Sequence, residues 1–240
     1  MGAADLEDAA LAQALLQAAA AFPQLDAATL RTARSTTGDV NVATVGHSGQ
    51  ASRPRRYTAE NHSAMALFDG LPIDGQGEFA AHDAAVLLDR WQTLAGRLEG
   101  QFVALRIDFR ADVVECLTDA LGIAPLYMSR HKKGYFLSNS VEAIRAVLQL
   151  TAPDPLGVSC FLSLGWAAGD RVLVRGVTAL RGGHQYRMTT SGLSARPYLS
   201  PSTVAEEVRR EKRINTPELV GELVSLTSSA TTSGLPVKSA

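Results

Sequence analysis

Apolar and polar positions alternate most clearly from Leu98 onward, in the central part of the chain. Over residues 103–109 every second residue is apolar, which is the period of a strand with one face on a core. Three short segments of strand character follow, separated by turns, at residues 113–118, 124–128 and 135–138. Short strands joined by hairpins predict an antiparallel sheet that is covered on at least one face.

Local signals mark the turns and helices of the same stretch. Asp119-Ala-Leu-Gly122 is a tight polar turn whose glycine can take a positive φ without steric cost. Asn139 and Glu142 have the spacing of a capping box, and the apolar residues that follow recur on one side of a helix. Asp154 opens a second helix, because the proline that follows it loses no useful donor at the first helical position.

The flanking regions combine helices and strands. Before residue 98 the pattern predicts helices over 5–22, 27–33 and 82–98, strands over 40–45 and 64–68, and a loop over 47–61. After residue 165 it predicts strands over 172–174, 185–188 and 193–198.

The chain divides into three parts on this pattern. A domain over residues 1–199 comes first, the polar and charged segment 200–216 is a linker, and a third part covers residues 217–240. In the third part a helix is predicted over 219–229, and the residues from Gly234 have the character of an incoming strand. Nothing else in the sequence completes this helix and strand. We therefore expect their amides to exchange rapidly, or the segment to pair with another copy.

Composition narrows the class of protein. With 240 residues and 46% hydrophobic content the chain can bury a substantial core. A formal net charge of −1 supplies no excess of cations for nucleic acid or anionic lipid. No basic segment precedes an apolar run at the start, so neither a signal peptide nor a spanning helix is predicted. We expect a cytoplasmic protein with no nucleic-acid or membrane partner.

The cysteines and histidines give no sign of a metal site. Cys116 and Cys160 are far apart, without the spacing of a zinc cluster or a disulfide framework, and both are expected to be buried small side chains. His184 lies in a Gly-Gly-His turn before a strand, where we expect it to stabilise the loop rather than to catalyse.

Two blocks of short motifs stand in a fixed order between residues 98 and 198. They are Leu98-Glu-Gly-x-Phe102 and Asp119-x-x-Gly122-Ile-x-Pro125-Leu-Tyr127, then Phe161-Leu-Ser-Leu-Gly165, Gly169-Asp-Arg171, Arg175-Gly-Val177 and Leu180-x-x-Gly183-His184. Each motif alone is weakly specific. Their ordered combination resembles the N-terminal glutaminase half of asparagine synthetase and its relatives.

This resemblance implies an α+β fold, a four-layer α/β/β/α sandwich of the N-terminal-nucleophile hydrolase type, followed by the start of an α/β synthetase domain. In the family the first strand of that domain runs into Ser-Gly-Gly-x-Asp-Ser, whose backbone amides hold the pyrophosphate of ATP. This sequence stops at Ala240, just before such a loop. The resemblance therefore implies ATP and magnesium for the missing synthetase half, and no cofactor in this chain.

The family's glutaminase chemistry needs a cysteine that becomes the first residue after Met1 is removed. Its thiolate attacks the amide, and its own α-amine, which titrates close to neutrality, serves as the base. Here Met1 is followed by Gly2, and the family's first strand is replaced by a predicted helix. Cys116 cannot substitute, because a cysteine within a strand has no free amine. We therefore predict no catalytic residue and no glutaminase activity in this chain.

The resemblance also places a degenerate glutamine pocket at Asp69, Gly70, Asp119 and Gly122. The family's Asn-Gly-Glu is matched by Asp69-Gly70-Leu71, so an amide has become an acceptor and a carboxylate has become apolar. Two basic positions of the family, Ala120 and Ala124 here, are lost, which removes the usual partners of a substrate carboxylate. An Asx-type turn between two strands is the alternative explanation of Asp119 and Gly122.

These features predict a non-catalytic glutaminase-like part of an ATP-dependent amide-forming ligase. Relatives without the terminal cysteine include β-lactam synthetases and lasso-peptide cyclases, and the resemblance implies a synthetase partner, in the same or a separate chain, and a peptide or small carboxylate substrate. Two alternatives remain open. One is a glutamine-hydrolysing asparagine synthetase, and the other is a free-standing binding or scaffold module without enzymatic activity.

Overall fold

The computed structural model describes residues 25–35, 37, 40–47, 56–60, 63–74 and 98–199 without 132 and 133, together with single positions before residue 25 and between residues 88 and 93. The described positions of the first predicted helix, residues 12, 13, 16 and 17, are helical. So are residues 88, 91 and 93 of the helix predicted over 82–98. The predicted linker 200–216 and the segment 217–240 lie outside the described residues.

The described part is mostly antiparallel sheet with few helices. Its strands are β1 Leu25–Arg34, β2 Asn41–His47, β3 Arg56–Glu60, β4 Ala64–Asp74, β5 Leu98–Asp108, β6 Val113–Thr118, β7 Tyr127–His131, β8 Gly134–Ser138, β9 Thr178–Ala179, β10 His184–Thr189 and β11 Gly192–Pro197. Its two complete helices are α1 Val141–Leu148 and α2 Pro155–Leu164. Among the described residues no helix has the length and apolar character needed to cross a membrane.

The strands form three sheets in which every pair is antiparallel. The largest has six strands in the order β11-β10-β6-β5-β4-β3. A three-stranded sheet has the order β8-β7-β9, and β1 pairs with β2 in a separate ribbon. The long central pair β4-β5 is in register from Ala64 opposite Asp108 to Asp74 opposite Leu98. This pair fixes where the candidate site lies.

Both faces of the six-stranded sheet are packed. On one face Phe68 and Phe102, with ring centroids 5.8 Å apart, lie in a buried cluster with Trp91. On the other face Val103 and Cys116 pack with Leu126 and with side chains of the three-stranded sheet. The alternation predicted for residues 103–109 therefore reflects two different cores, because successive side chains of a strand point to opposite faces.

Helix α1 packs on the three-stranded sheet. Ile144 of α1 shares a cluster with Tyr127 of β7 and Ala179 of β9. The first turn of α1 is capped by Ser140, whose Oγ accepts a hydrogen bond from Ala143 N at 3.3 Å. The cap is one residue later than the predicted capping box placed it, because the Asn139 side chain is bonded elsewhere. Glu142 pairs with Arg145 instead of reaching back to the cap.

Two predictions before residue 64 are wrong. The helix predicted over 27–33 is strand β1, which pairs with β2 over a register that includes a bulge between Asp26 and Arg31. A helix of seven residues is marginal on its own, and the inter-strand bonds outweigh its local preference. The loop predicted over 47–61 contains strand β3, which pairs residue by residue with β4 at the edge of the sheet.

The predictions for the central stretch fit more closely. Strand β6 and helices α1 and α2 lie where the pattern placed them, as do β8, β10 and β11 to within one residue at either end. The strand predicted over 124–128 starts later, at Tyr127, because the residues before it are held by Asp119. The strand predicted over 172–174 is reduced to single bridges, Pro153 with Val174 and, beside it, Arg171 with Thr178.

Candidate functional site

The two halves of the predicted pocket meet at one end of the six-stranded sheet. Gly70 of β4 is opposite Phe102 of β5, and Asp119 N donates to Phe102 O at 3.0 Å from the other side. Because neighbouring strands are about 4.8 Å apart, the segments of Gly70 and Asp119 are separated by roughly 10 Å. Strand β5 alone therefore brings together these two segments, which are about 50 residues apart in the sequence.

The carboxylate of Asp119 binds the backbone of its own loop. Its Oδ1 accepts hydrogen bonds from Leu121 N and Ile123 N, both at 3.0 Å, and its Oδ2 accepts one from Ala124 N at 2.7 Å. The residue is 1% exposed. A carboxylate offers about four acceptor positions, and three of them are occupied by these amides. The geometry favours the Asx-type turn over a retained ligand contact for Asp119.

A second loop packs against the first, glycine against glycine. Gly122 has φ +68°, and a Cβ on Gly182 would lie 2.3 Å from Gly122 N, so two bare backbones touch at this point. The Asp119 carbonyl accepts a hydrogen bond from Gly183 N at 2.7 Å. Thr118 Oγ1 donates to Arg181 O at 2.7 Å. The contact between the loops therefore requires glycine at Gly182, whereas Gly122 is favoured by its positive φ and by the 3.1 Å that would separate its Cβ from Gly182 N.

Asp69 has a partner from a distant element. Asn139, between β8 and α1, donates from Nδ2 to Asp69 Oδ2 at 2.6 Å. This bond connects the six-stranded sheet to the start of α1. Sequence reasoning missed it, because the only signal at Asn139 was local and pointed to a helix cap. No spacing rule relates residues 69 and 139.

Gly70 is fixed by its backbone. It has φ +116° within β4, and a Cβ there would lie 2.1 Å from Gln101 O of the neighbouring strand. Only glycine takes this conformation without strain, and only glycine leaves room for the carbonyl. The residue is thus explained by strand geometry, and ligand binding at Asp69, Gly70, Asp119 and Gly122 stays a prediction.

Tyr198 lies beside the Asp119 loop, next to the last described residue, Leu199. Its hydroxyl donates to Thr118 O. Burial raises the pKa of Tyr198 to about 12, and the nearby charge of Asp119 adds to the effect. Leu199 N donates to Gly183 O at 3.2 Å.

Cys116 is buried in β6 as predicted, and it is poorly suited to catalysis. Burial, with a smaller effect of the neighbouring Glu115, raises the pKa of its thiol far above the ordinary range. A thiol held in this protonated form is a weak nucleophile. Cys160, on α2, is half-buried rather than fully buried.

His184 supports its loop. Its Nδ1 lies 2.6 Å from Gly182 O, and since a carbonyl can only accept, this nitrogen carries the hydrogen. The ring stacks on Tyr186, with centroids 5.7 Å apart and planes at 24°. The Tyr186 hydroxyl in turn accepts a hydrogen bond from Arg181 N. These contacts agree with the loop-stabilising role expected from the sequence.

A buried acid that the sequence did not reveal lies on the same sheet. Glu115 of β6 is 2% exposed and accepts from Arg106 Nη1 at 3.1 Å and from Arg187 Nη1 at 2.8 Å. Arg106 on β5 and Arg187 on β10 are the direct cross-strand neighbours of Glu115 on β6. Two cations compensate one buried charge, which is a structural arrangement. Within the described residues no three His, Cys, Asp or Glu side chains are grouped as metal ligands.

Comparison with known proteins does not assign this chain to a family. No family model and no curated protein matches this sequence. Among solved structures, the chain is similar to the glutamine phosphoribosylpyrophosphate amidotransferase of B. subtilis, solved with ADP and GMP, at 11% identity and a TM-score of 0.35 over 70% of this chain. It is also similar to an allosteric regulatory enzyme of purine biosynthesis, at 12% identity and a TM-score of 0.32 over 68% of this chain.

The matched regions are only parts of those proteins. This chain spans 42% of the first and 33% of the second. Both TM-scores lie below 0.5, so neither likeness establishes a shared fold.

Proposed function

We propose that this chain is a non-catalytic glutaminase-like domain with the four-layer α/β/β/α sandwich of N-terminal-nucleophile hydrolases, and that it supports the synthetase half of an asparagine-synthetase-like, ATP-dependent amide-forming ligase. The ordered motifs of residues 98–198 support the family. Two antiparallel sheets that share a core, with α1 packed on one of them, are in keeping with the layered architecture.

The observation that best supports the absence of glutaminase activity is the environment of Cys116. The residue lies within a strand, and its thiol is buried and held in the protonated form. The remnants of the pocket are bound to the protein itself, Asp119 to its loop and Asp69 to Asn139. Among the described residues, the buried thiol of Cys116 is therefore unsuited to attack a glutamine amide.

The substrate of the ligase follows only from the resemblance. In relatives that lack the terminal cysteine an amine already present on the substrate attacks an adenylated carboxylate, so ammonia from glutamine is not needed. A peptide or a small carboxylate is the substrate class that fits this chemistry. ATP and magnesium belong to the synthetase half, and no described residue of this chain is assigned to them.

Glutamine hydrolysis is the experiment that tests the inactive state. The full chain is incubated with L-glutamine, and glutamate release is compared with that of the Cys116→Ser variant and of a blank. We expect all three to be equal. A Gly2→Cys variant is the matched gain-of-function control, and it should also stay inactive, because Ala120 and Ala124 leave no cation for the substrate carboxylate. Turnover by the wild-type chain would favour the glutamine-hydrolysing asparagine synthetase instead.

The synthetase partner needs a separate test. The messenger RNA that encodes the chain is sequenced beyond the codon for Ala240. An in-frame Ser-Gly-Gly-x-Asp-Ser would support the ligase. An immediate stop codon, together with the absence of glutamine turnover and of a separate synthetase chain that binds it, would favour the free-standing scaffold module.

A further inference from the structure

Two buried hydrogen-bond donors have no acceptor in the part of the chain that the structure describes. They are the indole Nε1 of Trp91, a residue that is 2% exposed, and the Nε of Arg106 on β5. A buried donor without an acceptor is costly, and in folded proteins such groups are nearly always satisfied by the protein or by ordered water. Both donors therefore require an acceptor.

The two donors lie on the same face of the six-stranded sheet. Trp91 belongs to the buried cluster that contains Phe102 and Ala104 of β5. Side chains two residues apart in a strand point to the same face, so Arg106 follows Ala104 on the face that carries Trp91. Ala66 of the same cluster is the direct cross-strand neighbour of Arg106. Arg106 is therefore adjacent, along the strand and across it, to two members of the Trp91 cluster.

These two neighbours are the smallest side chains of the cluster. Ala66 and Ala104 are both 0% exposed, and each carries only a methyl group. Methyl groups fill little of the space between a tryptophan ring and a guanidinium group. A buried position of this kind suits a water molecule, provided that polar groups surround it.

Glu115 supplies the acceptor that such a water needs for its own hydrogens. The carboxylate accepts one bond from Arg106 Nη1 at 3.1 Å and one from Arg187 Nη1 at 2.8 Å. A carboxylate offers about four acceptor positions, so about two remain. Glu115 is the direct cross-strand neighbour of Arg106 and is itself buried. With Trp91 and Arg106 it completes the set of about three partners that a buried water typically has.

The charges around the site favour a neutral molecule over an anion. Arg106 and Arg187 are balanced by Glu115 and by Asp108, whose Oδ2 lies 3.6 Å from Arg106 Nη2. An added anion would give this group an excess negative charge, and burial penalises an uncompensated charge. Water therefore fits the site better than chloride or a carboxylate.

We propose that a single buried water accepts hydrogen bonds from Trp91 Nε1 and Arg106 Nε and donates one to Glu115. This water connects the helical segment that contains Trp91 to the charged row of the sheet. The proposal is independent of the glutaminase-like function, because none of the three residues belongs to the predicted glutamine pocket.

Proton NMR of the ¹⁵N-labelled full chain observes the site directly. The chain has two tryptophans, and Trp166, which is 63% exposed, is the internal control. A Trp166→Phe variant assigns the two indole signals. We expect the Trp91 indole proton and the Arg106 Nε proton each to show a cross-peak with water, of opposite sign in the NOE and ROE spectra, as for a water held by the protein. The Trp166 indole proton should show only rapidly exchanging water.

Two substitutions at one position locate the water. Ala66→Val adds methyl groups beside Arg106 and should displace the water, so that both cross-peaks are lost. Ala66→Ser is the matched control, because it adds only a hydroxyl group, which can itself bond to water, and it should retain both cross-peaks.

Four results would overturn the proposal. The first is the absence of a water cross-peak at the Trp91 indole proton of the wild type, and the second is a cross-peak at Trp91 without one at Arg106. The third is the persistence of both cross-peaks in Ala66→Val. The fourth is a saturable shift of the Trp91 indole signal on addition of chloride, which would assign the site to an anion. None of these measurements involves glutamine, so their failure is distinguishable from a failure of the proposed function.

Discussion

The two carboxylates of the candidate site lie at the same end of one sheet. Asp119 binds residues that are close to it in the sequence, whereas Asp69 binds a residue that is distant from it. The three backbone amides that bind the Asp119 side chain are within five residues of it, whereas Asn139 is 70 residues from Asp69. Asp119 shapes a loop, and Asp69 joins two elements. The comparison shows that two carboxylates of one candidate site can serve the fold in quite different ways.

The largest effect is expected at Gly70, beside Asp69. A Gly70→Ala variant meets both an unfavourable φ and the Gln101 carbonyl, and it should lower the free energy of unfolding by about 3–5 kcal/mol. Gly134→Ala is the matched control, because Gly134 has φ +132° with nothing within 4 Å of a Cβ, and it should cost about 1–2 kcal/mol. Urea unfolding measures both. Equal losses of unfolding free energy in the two variants would show that the backbone of Gly70 does not approach Gln101 O as closely as described.

The next effect concerns Asp119. Asp119→Ala leaves three part-buried amides without their acceptor and should cost about 3 kcal/mol of unfolding free energy. Asp119→Asn keeps one acceptor oxygen and should cost about half as much. If the alanine variant were as stable as the wild type, the carboxylate would not be holding its loop, and a ligand role for Asp119 would regain support.

A smaller effect is expected for Asp69. Asp69→Ala and Asn139→Ala should each cost about 1–2 kcal/mol, and the double variant should show a coupling energy of about 1 kcal/mol, because both changes remove the same hydrogen bond. Ser140→Ala should cost about 1 kcal/mol for the lost cap and add independently to Asp69→Ala. Strict additivity of Asp69→Ala and Asn139→Ala would contradict the bond between them.

The smallest effect is expected at Tyr198, whose pKa is raised in part by the nearby charge of Asp119. The folded-state pKa of about 12 lies above the ordinary tyrosine pKa of 10.0, so the folded state holds this proton more tightly. The stabilisation is complete below pH 10 and is lost as the pH rises towards 12. Across this pH range, the free energy of unfolding should fall less in the Tyr198→Phe variant than in the wild type. Ultraviolet titration should show a lower Tyr198 pKa in Asp119→Asn, and an unchanged pKa would contradict the role of the Asp119 charge.

The sequence predicted those parts of the fold that depend on neighbouring residues. Strand β6 and helix α2 have strong local patterns, and the Asp119 turn was recognised from Asp and Gly at the right spacing. Strand β1 was mistaken for a helix and β3 for a loop, because both depend on pairing partners that no local pattern reveals. For the same reason the bond between Asn139 and Asp69 and the Arg106–Glu115–Arg187 cluster were not predicted. Their partners are brought together by the sheet register.

Asp69, Gly70, Asp119 and Gly122, the residues of the predicted glutamine pocket, are explained by contacts that serve the fold. Calorimetric titration of the full chain with L-glutamine tests this claim most directly, with Asp69→Asn as the comparison variant. We predict no saturable heat of binding for either protein up to millimolar glutamine. Saturable binding to the wild type that Asp69→Asn weakens would contradict the claim and would restore a working pocket at this end of the sheet.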